Sequence, residues 1–369
     1  MKIVGIRTQR LVCPLDPPFN AAWDPVPRRS FEATLVLVDT DEGICGLGSG
    51  DSMEGFSAFE HLFLGQDPMR IVRHVRTLET INFHAGRYWP LEAALWDIIG
   101  QVCGQPVASL FGGSADRLPV YASCGELKPP EERVESVLAM REVGFRALKV
   151  RIDRDRLREG VATVAAVRQA VGSSMEIMVD MNQAWRMSGD IEPATDPATA
   201  RHTAEALREL GVLWMEEPLP GSDMRGLANL RATTGIRVAG GEMVRTLSEL
   251  LSYLDADAFD VYQPDVVLAV GMHRARLVAE LALVRNRWFT PHTWTNGIGV
   301  LANLHVAAGV GGGPFLEYPF DPPGWTPERR DFLLAEPLRV DADGCLAVPR
   351  RPGLGVVIDP DALRHFSVD

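Results

Sequence analysis

The stretch "GVLWMEEPLP" (residues 211–220) decides how the chain folds. Its apolar run, "GVLW", reads as a buried strand. The strand ends in two adjacent carboxylates, Glu216 and Glu217. Neighbouring negative charges at the end of a buried strand repel each other and lose hydration. Such a pair implies that positive charge meets at least one of them.

The same pattern repeats along the chain. From about residue 119, short β-rich runs alternate with helical segments: "PVYASCG", "ALKVRID", "EIMVDMN", "VLWMEEP", "IRVAGGEM", "AFDVYQPD", "WFTPHTW" and finally "PFLEYP". Helices are predicted near 130–143, 156–171, 197–210, 223–234, 246–254, 268–284 and 298–308. Eight strands alternating with seven helices imply a closed parallel α/β barrel. The turn-rich segment "RMSGDIEPATDPATA" is expected to pass over the barrel mouth. Residues 1–118 read as an α+β domain with strands in "KIVGIRTQRLV" and "SFEATLVLVDTDEGICGLGSG". Helices are predicted in "SAFEHLFLG", "MRIVRHVRTLETI" and "YWPLEAALWDIIGQVCG". Residues 16–29, "DPPFNAAWDPVPRR", read as a long loop with an apolar tip at Phe19 and Trp23. The glycine-rich pieces "GLGSG", "AGG" and "GVGGG" lack phosphate-loop spacing and read as tight turns. Residues 119–330 form the barrel, and 331–369 are expected to pack back on the first domain.

Bulk properties narrow the function. The 369 residues carry a net charge of −12, with 46% hydrophobic and 23% charged residues. That balance disfavours nucleic acid or an anionic membrane as partner. The N-terminal run alternates like a strand and has no signal-peptide core. Five scattered cysteines, with no CxxC pair, suit reduced packing residues in a cytoplasmic protein.

Catalytic residues of such barrels gather at the C-terminal ends of the strands. In order, those ends carry Lys149 and Arg151, Asp180 and Asn182, Glu216 and Glu217, Glu242, Asp265, His292, and Glu317. Asp180, Glu216 and Glu242 come from neighbouring strands. Three converging carboxylates call for a hard divalent cation, and oxygen ligands with room for water fit Mg²⁺. Glu217 alternates to the other side and is expected to meet an arginine. Lys149 is one of three lysines among 37 basic residues. Beside a cation its pKa is expected to fall, leaving it a base or an electrostatic contact. Arg151 faces the same side and suits a carboxylate, but is a poor base. His292 is a candidate acid–base group oriented by Asp265. Glu317 reads equally as a protonated acid or as a structural partner. Trp23, Arg151 and Asn182 are candidate substrate contacts.

The motifs "KVR" (149–151), "DMN" (180–182), "EEP" (216–218), "GGE" (240–242), "QPD" (263–265) and "PH" (291–292) together resemble the enolase superfamily. Within it, the likeness is to the mandelate racemase/muconate lactonizing enzyme family, in its mandelate racemase-like subgroup. The resemblance spans nearly the whole chain. It implies a (β/α)₇β TIM-like barrel under an N-terminal α+β capping domain. It further implies Mg²⁺ on Asp180, Glu216 and Glu242, and a His292–Asp265 dyad. Many relatives carry Lys-x-Lys on the second strand, the second lysine serving as base on one face of the substrate. Arg151 stands there here, which counts against two-faced racemisation. The expected reaction is loss of the proton α to a carboxylate through an enediolate, stabilised by Mg²⁺, Lys149 and Glu317. His292 then expels the β-hydroxyl, turning a sugar acid into a 2-keto-3-deoxy acid. The alternatives are an epimerase, racemase or lactone cycloisomerase using Lys149 and His292, a Schiff-base aldolase on Lys149, and a non-catalytic metal-binding scaffold. A homo-oligomer is expected.

Overall fold

The computed structural model describes residues 1–368. Alternating apolar residues build a three-stranded antiparallel sheet from β1 (Ile3–Phe19), β2 (Arg28–Thr40) and β3 (Cys45–Gly48). Two helices follow, α1 (Ile71–His84) and α2 (Trp89–Cys103), then a short α3 (Val107–Leu110). The glycines of "GLGSG" are not turns. They lie on or just after β3, where a Cβ on Gly48 would stand 2.0 Å from the Pro90 carbonyl oxygen, so glycine lets α2 lie directly on the strand. "SAFEHLFLG" forms two 3₁₀ turns rather than a helix, bounded by Gly55 and Gly65 at positive φ.

Eight parallel strands follow: β4 (Arg117–Ser123), β5 (Ala147–Arg151), β6 (Glu176–Asp180), β7 (Trp214–Glu216), β8 (Arg237–Gly240), β9 (Val261–Tyr262), β10 (Trp288–Phe289) and β11 (Leu316–Pro319). Between them run α4 (Pro130–Val143), α5 (Leu157–Val171), α6 (Pro197–Glu209), α7 (Met224–Thr234), α8 (Leu247–Asp255), α9 (Gly271–Val284) and α10 (Gly297–Val310). The sheet order is β10-β9-β8-β7-β6-β5-β4-β11, and the Phe289 amide donates to the Gly312 carbonyl ahead of β11 at 2.9 Å. This is the (β/α)₇β barrel with its N-terminal cap.

Period-two alternation sorts the strand residues. Leu148, Val150, Ile177, Val179, Met215 and Val238 belong to the core shared with the helices. Tyr121, Ala147, Met178, Trp214, Ala239 and Val261 fill the barrel interior. Two residues further along, the same inward face becomes polar: Ser123, Lys149, Asp180, Glu216 and Gln263, all at 0% exposure. After α11 (Pro327–Arg330), the tail does not pack on the cap alone. β12 (Cys345–Ala347) pairs with β4 at the barrel base, while Phe332–Leu334, α12 (Pro360–Phe366) and Val368 meet the cap at Leu11, Cys13, Leu35 and the Arg10 carbonyl.

The long loop expected at 16–29 is shorter. β1 continues to Phe19, which pairs with Arg28. Phe19 is fully buried, stacked on Trp294 and tilted against Trp325, so it is core rather than a loop tip.

Cap and barrel are joined by a buried acid. Glu92 of α2 accepts the His273 amide at the start of α9 (2.7 Å) and the indole N–H of Trp96 on its own helix (3.1 Å), while its Oε2 has no partner among the described residues. Gly271 at φ +79° makes the approach possible, because a Cβ there would meet Glu92 Oε2. Burial pushes the Glu92 carboxyl up to about 7 from 4.5. The folded state therefore holds a proton that the unfolded chain has released, and stability falls as pH rises from about 4.5 to about 7. Glu92→Gln lacks this titration. Relative to the native chain, the variant should gain up to about 3 kcal/mol between pH 4.5 and pH 8 in urea unfolding. A difference that does not vary with pH would show that Glu92 titrates alike folded and unfolded.

Candidate metal centre and active site

The strand ends predicted from the sequence meet at the C-terminal mouth of the barrel. Arg151 lies opposite Asp180, and Asp180 opposite Glu216, in the strand register. Asp180, Glu216 and Glu242 are buried, and one carboxylate oxygen of each lies within 4.8 Å of the others. The backbone and neighbouring side chains aim them. The Asn182 amide donates to Asp180 Oδ1 at 2.8 Å, with Asn182 itself held at φ +46°. Gln263 Nε2 donates to Glu216 Oε2 at 2.7 Å, and Trp185 Nε1 to Glu242 Oε1 at 2.7 Å. Glu242 Oε2 is a buried acceptor without a partner among the described residues.

Lys149 lies under this group with no exposed surface. Its Nζ stands 2.5 Å from Glu216, 2.7 Å from Glu317 and 3.4 Å from Asp180. Burial works to lower its pKa, but Glu216 and Glu317 outweigh burial and hold it above the usual lysine range. That raise belongs to the carboxylates alone; the fall expected from the sequence is the effect of a cation bound beside Lys149. An ammonium tied to two carboxylates is an electrostatic anchor, not a free base. Glu317 is its counterpart. It accepts from Ser123 Oγ and from the Thr293 amide, both at 2.7 Å. Burial alone would raise its pKa, but Lys149, His292 and Arg151 bring it down to about 2. Of its two open roles, the structure displays the ionised partner.

Arg151 is also engaged. Its Nη1 pairs with Asp180 and reaches Asn182 Oδ1 at 2.9 Å, and its Nε donates to the Cys124 carbonyl at 3.0 Å. The guanidinium lies 4.8 Å from the Trp23 ring centroid and 5.8 Å from that of Trp294. Trp23 packs edge-on against Trp294 at 4.8 Å.

His292 Nδ1 lies 2.9 Å from Asp265 Oδ2, which leaves Nε2 directed toward Glu242, 3.7 Å from its Oε2. Asp265 is fixed in turn by the Val267 and Leu268 amides and by Asn303 Nδ2. Burial lowers the His292 pKa, but Glu242, Glu317 and Asp265 together raise it to about 9. Glu242 is the largest of these upward pushes. Neutralising Glu242 therefore returns the imidazole toward the range where it both takes and gives protons.

Glu217 departs from expectation. Strand β7 stops at Glu216, and Glu217 takes φ +45°. Its carboxyl is 2% exposed and meets no arginine in an ion pair among the described residues. Burial, then Glu242 and Glu216, raise its pKa well above the ordinary value.

A cavity of about 350 Å³ opens over the cluster. Arg151, Asn182, Glu242 and His292 line its inner part, with Trp23, Trp185 and Trp294 among its walls. Trp185, Trp294, Gln263, Ser123 and Asn303 were missed by sequence reading. Gln263 lies two residues after the inward Val261, so strand alternation could have flagged it, whereas Trp294 lies five residues past β10. Asn303 sits on α10, and no local signal marks it.

Comparison with known proteins identifies the family. The family described as enolase C-terminal domain-like matches residues 132–362. D-galactarolactone cycloisomerase of Agrobacterium fabrum is 29% identical over 100% of this chain and 99% of its own length. The 3,6-anhydro-α-L-galactonate cycloisomerase of Streptomyces coelicolor is 30% identical over 92% of each. L-talarate/galactarate dehydratase of Salmonella typhimurium, in a structure liganded with Mg and L-lyxarohydroxamate, superimposes with a TM-score of 0.85 at 25% identity. That match covers 100% of this chain and 93% of the other. Sugar-acid dehydratases, cycloisomerases and racemases or epimerases all occur among the relatives. The barrel, the cap and the matched residues place the chain in the enolase C-terminal domain-like family, within the enolase superfamily.

Proposed function

We propose that the protein is a Mg²⁺-dependent enzyme that removes the proton α to the carboxylate of a sugar acid and eliminates the β-hydroxyl, yielding a 2-keto-3-deoxy acid. The observation that carries this reading is that His292 is the one proton-competent group, among the described residues, that both faces the cavity and is held by an orienting carboxylate. Asp180, Glu216 and Glu242 fit a hard divalent cation, since three buried carboxylates converge and Glu242 Oε2 lacks a donor. When bound there, Mg²⁺ supplies the Lewis acid that stabilises the negative charge developing on the substrate's carboxylate oxygens.

The protein's own groups supply the rest. Asp265 holds the His292 Nδ1 proton and leaves the Nε2 lone pair toward the cavity. His292 Nε2 takes the α-proton and returns it to the departing β-hydroxyl. Lys149 lends fixed positive charge from beneath. Arg151 orients the metal ligand through Nη1 and keeps Nη2, which has no hydrogen bond among the described residues, for a substrate carboxylate. Trp23 and Trp294 exclude water from that side. One competent base favours elimination over two-faced racemisation.

A second reading, lactone cycloisomerisation, is favoured by the two full-length cycloisomerase relatives. It uses the same proton abstraction and expels a ring oxygen instead of a hydroxyl. Screening sugar acids and their lactones with Mg²⁺ for 2-keto acid formation separates the two by which form is consumed.

His292→Asn keeps shape and hydrogen bonding but moves no proton. It should lower kcat at least about 10²–10⁴-fold with KM little changed. Exchange of the substrate α-proton with D₂O should disappear with it. Retained exchange would reveal a second base and favour an epimerase; near-normal turnover would remove His292 from the chemistry. Asp265→Asn should lower kcat less than His292→Asn, with its pH profile displaced, because the imidazole loses its orienting charge.

A further inference from the structure

The cavity above His292 is more basic than the reaction at its floor requires. Five of its fourteen lining residues are arginine, against 34 of 369 in the whole chain. The single acid among the fourteen is Glu242, a candidate metal ligand. For a protein of net charge −12, this is a local reversal of sign. Arg151 lies at the inner end, and Arg28, Arg87, Arg186 and Arg245 form the remainder.

Their partners show which charges are left over. Arg28 is paired with Asp24. Arg87 donates to the Leu268 carbonyl at 2.7 Å and stands 3.3 Å from Asp51. Arg186 is 25% exposed, reaches Asp190 only at 3.7 Å, and donates to the neighbouring Trp185 carbonyl at 3.2 Å. Arg154 takes both Asp190 oxygens by closer contacts, at 3.0 and 2.7 Å. The side chain of Arg245 makes no ion pair or hydrogen bond among the described residues. Exposed arginines without a side-chain partner among the described residues also occur elsewhere, Arg70, Arg73 and Arg158 among them; what distinguishes Arg186 and Arg245 is that they line one cavity whose single acid is a candidate metal ligand. Two guanidiniums lining one cavity with incomplete partners leave room for an anion.

The carboxylate at the reacting end is met by the metal centre and Arg151, so it does not use these charges. We propose that the substrate carries a second carboxylate at its far end, held by Arg186 and Arg245 with Arg87 alongside. This rests on the sugar-acid reading above and narrows it to a dicarboxylate: a sugar acid oxidised at both ends rather than one. The cavity of about 350 Å³ suits a compact ligand, at the small end of the roughly 300–1,000 Å³ typical of small-molecule sites.

The test compares matched pairs, galactarate with galactonate and glucarate with gluconate, on the Mg²⁺-loaded protein. Binding is followed by calorimetry and turnover by 2-keto acid formation. The dicarboxylate of at least one pair should bind and turn over better than its monocarboxylate. In Arg186→Met and Arg245→Met the dicarboxylate-to-monocarboxylate ratio of kcat/KM should fall on the order of 10–100-fold each, mainly through KM. Arg186→Lys should recover part of that ratio. Equal losses for both members of a pair, or a native preference for the monocarboxylates, would overturn the proposal. If dicarboxylates bind preferentially and no 2-keto acid forms, the second carboxylate stands and the dehydratase reading fails. If neither class binds, the proposal falls.

Discussion

Six carboxylates are buried together at the mouth of this barrel, and that imbalance organises the rest of the site. Asp180, Glu216, Glu217, Glu242, Asp265 and Glu317 are each at most 2% exposed. Against them stand Lys149, Arg151 and, when protonated, His292. Buried charges of one sign raise each other's proton affinity unless a counter-charge arrives. Burial raises the pKa values of Glu217 and Glu242, and the neighbouring carboxylates add to the rise. With His292 neutral, a divalent cation on Asp180, Glu216 and Glu242 would offset half of that excess. Lys149 is then understood as the fixed part of the neutralisation, sealed beneath the floor and tied to Glu216 and Glu317. It makes the cluster tolerable during folding without occupying the cavity.

The fold supplies the precision that such a cluster demands. Parallel register sets Arg151, Asp180 and Glu216 side by side on adjacent strands. Each ligand is then aimed by a second group: Asn182, Gln263 or Trp185. The His292–Asp265 pair is braced from α10 by Asn303, and the same helix is tied to the cap through Asn296 and Ser49 at 2.7 Å. The aromatic block of Phe19, Trp23, Trp294 and Trp325 joins the cap to the barrel mouth. A disturbance of the cap is therefore transmitted to the wall of the cavity.

Most of this was legible because barrel strands obey a simple rule. Inward residues recur every second position, so strand ends carrying an acid, a lysine or a histidine had to converge. Asp180 and Glu216 followed from that rule, and Glu242, Asp265 and His292 from lying two or three residues past the ends of β8, β9 and β10. What escaped lay where the rule stops. Glu217 follows the last residue of β7 and turns with positive φ, so alternation misplaced it. Phe19 belongs to a strand that continues past two prolines, which the composition read as loop. The raised pKa of Lys149 depends on the distance to Glu317, and only the closed barrel brings β5 near β11 across β4. Trp185 comes from the irregular connection after β6, where no periodicity points anywhere.

The carboxylate excess calls for a divalent cation on Asp180, Glu216 and Glu242. Thermal unfolding of the chelated protein, titrated with Mg²⁺ in the absence of any substrate, tests it most directly. Binding to the folded state alone raises the melting temperature with ligand concentration. The native chain should show a saturable rise, and Glu242→Gln, which removes a ligand charge and relieves the crowding, should be more stable without Mg²⁺ and respond little to it. A native protein whose melting temperature is indifferent to Mg²⁺, or a Glu242→Gln variant that responds as fully as the native chain, would contradict the account.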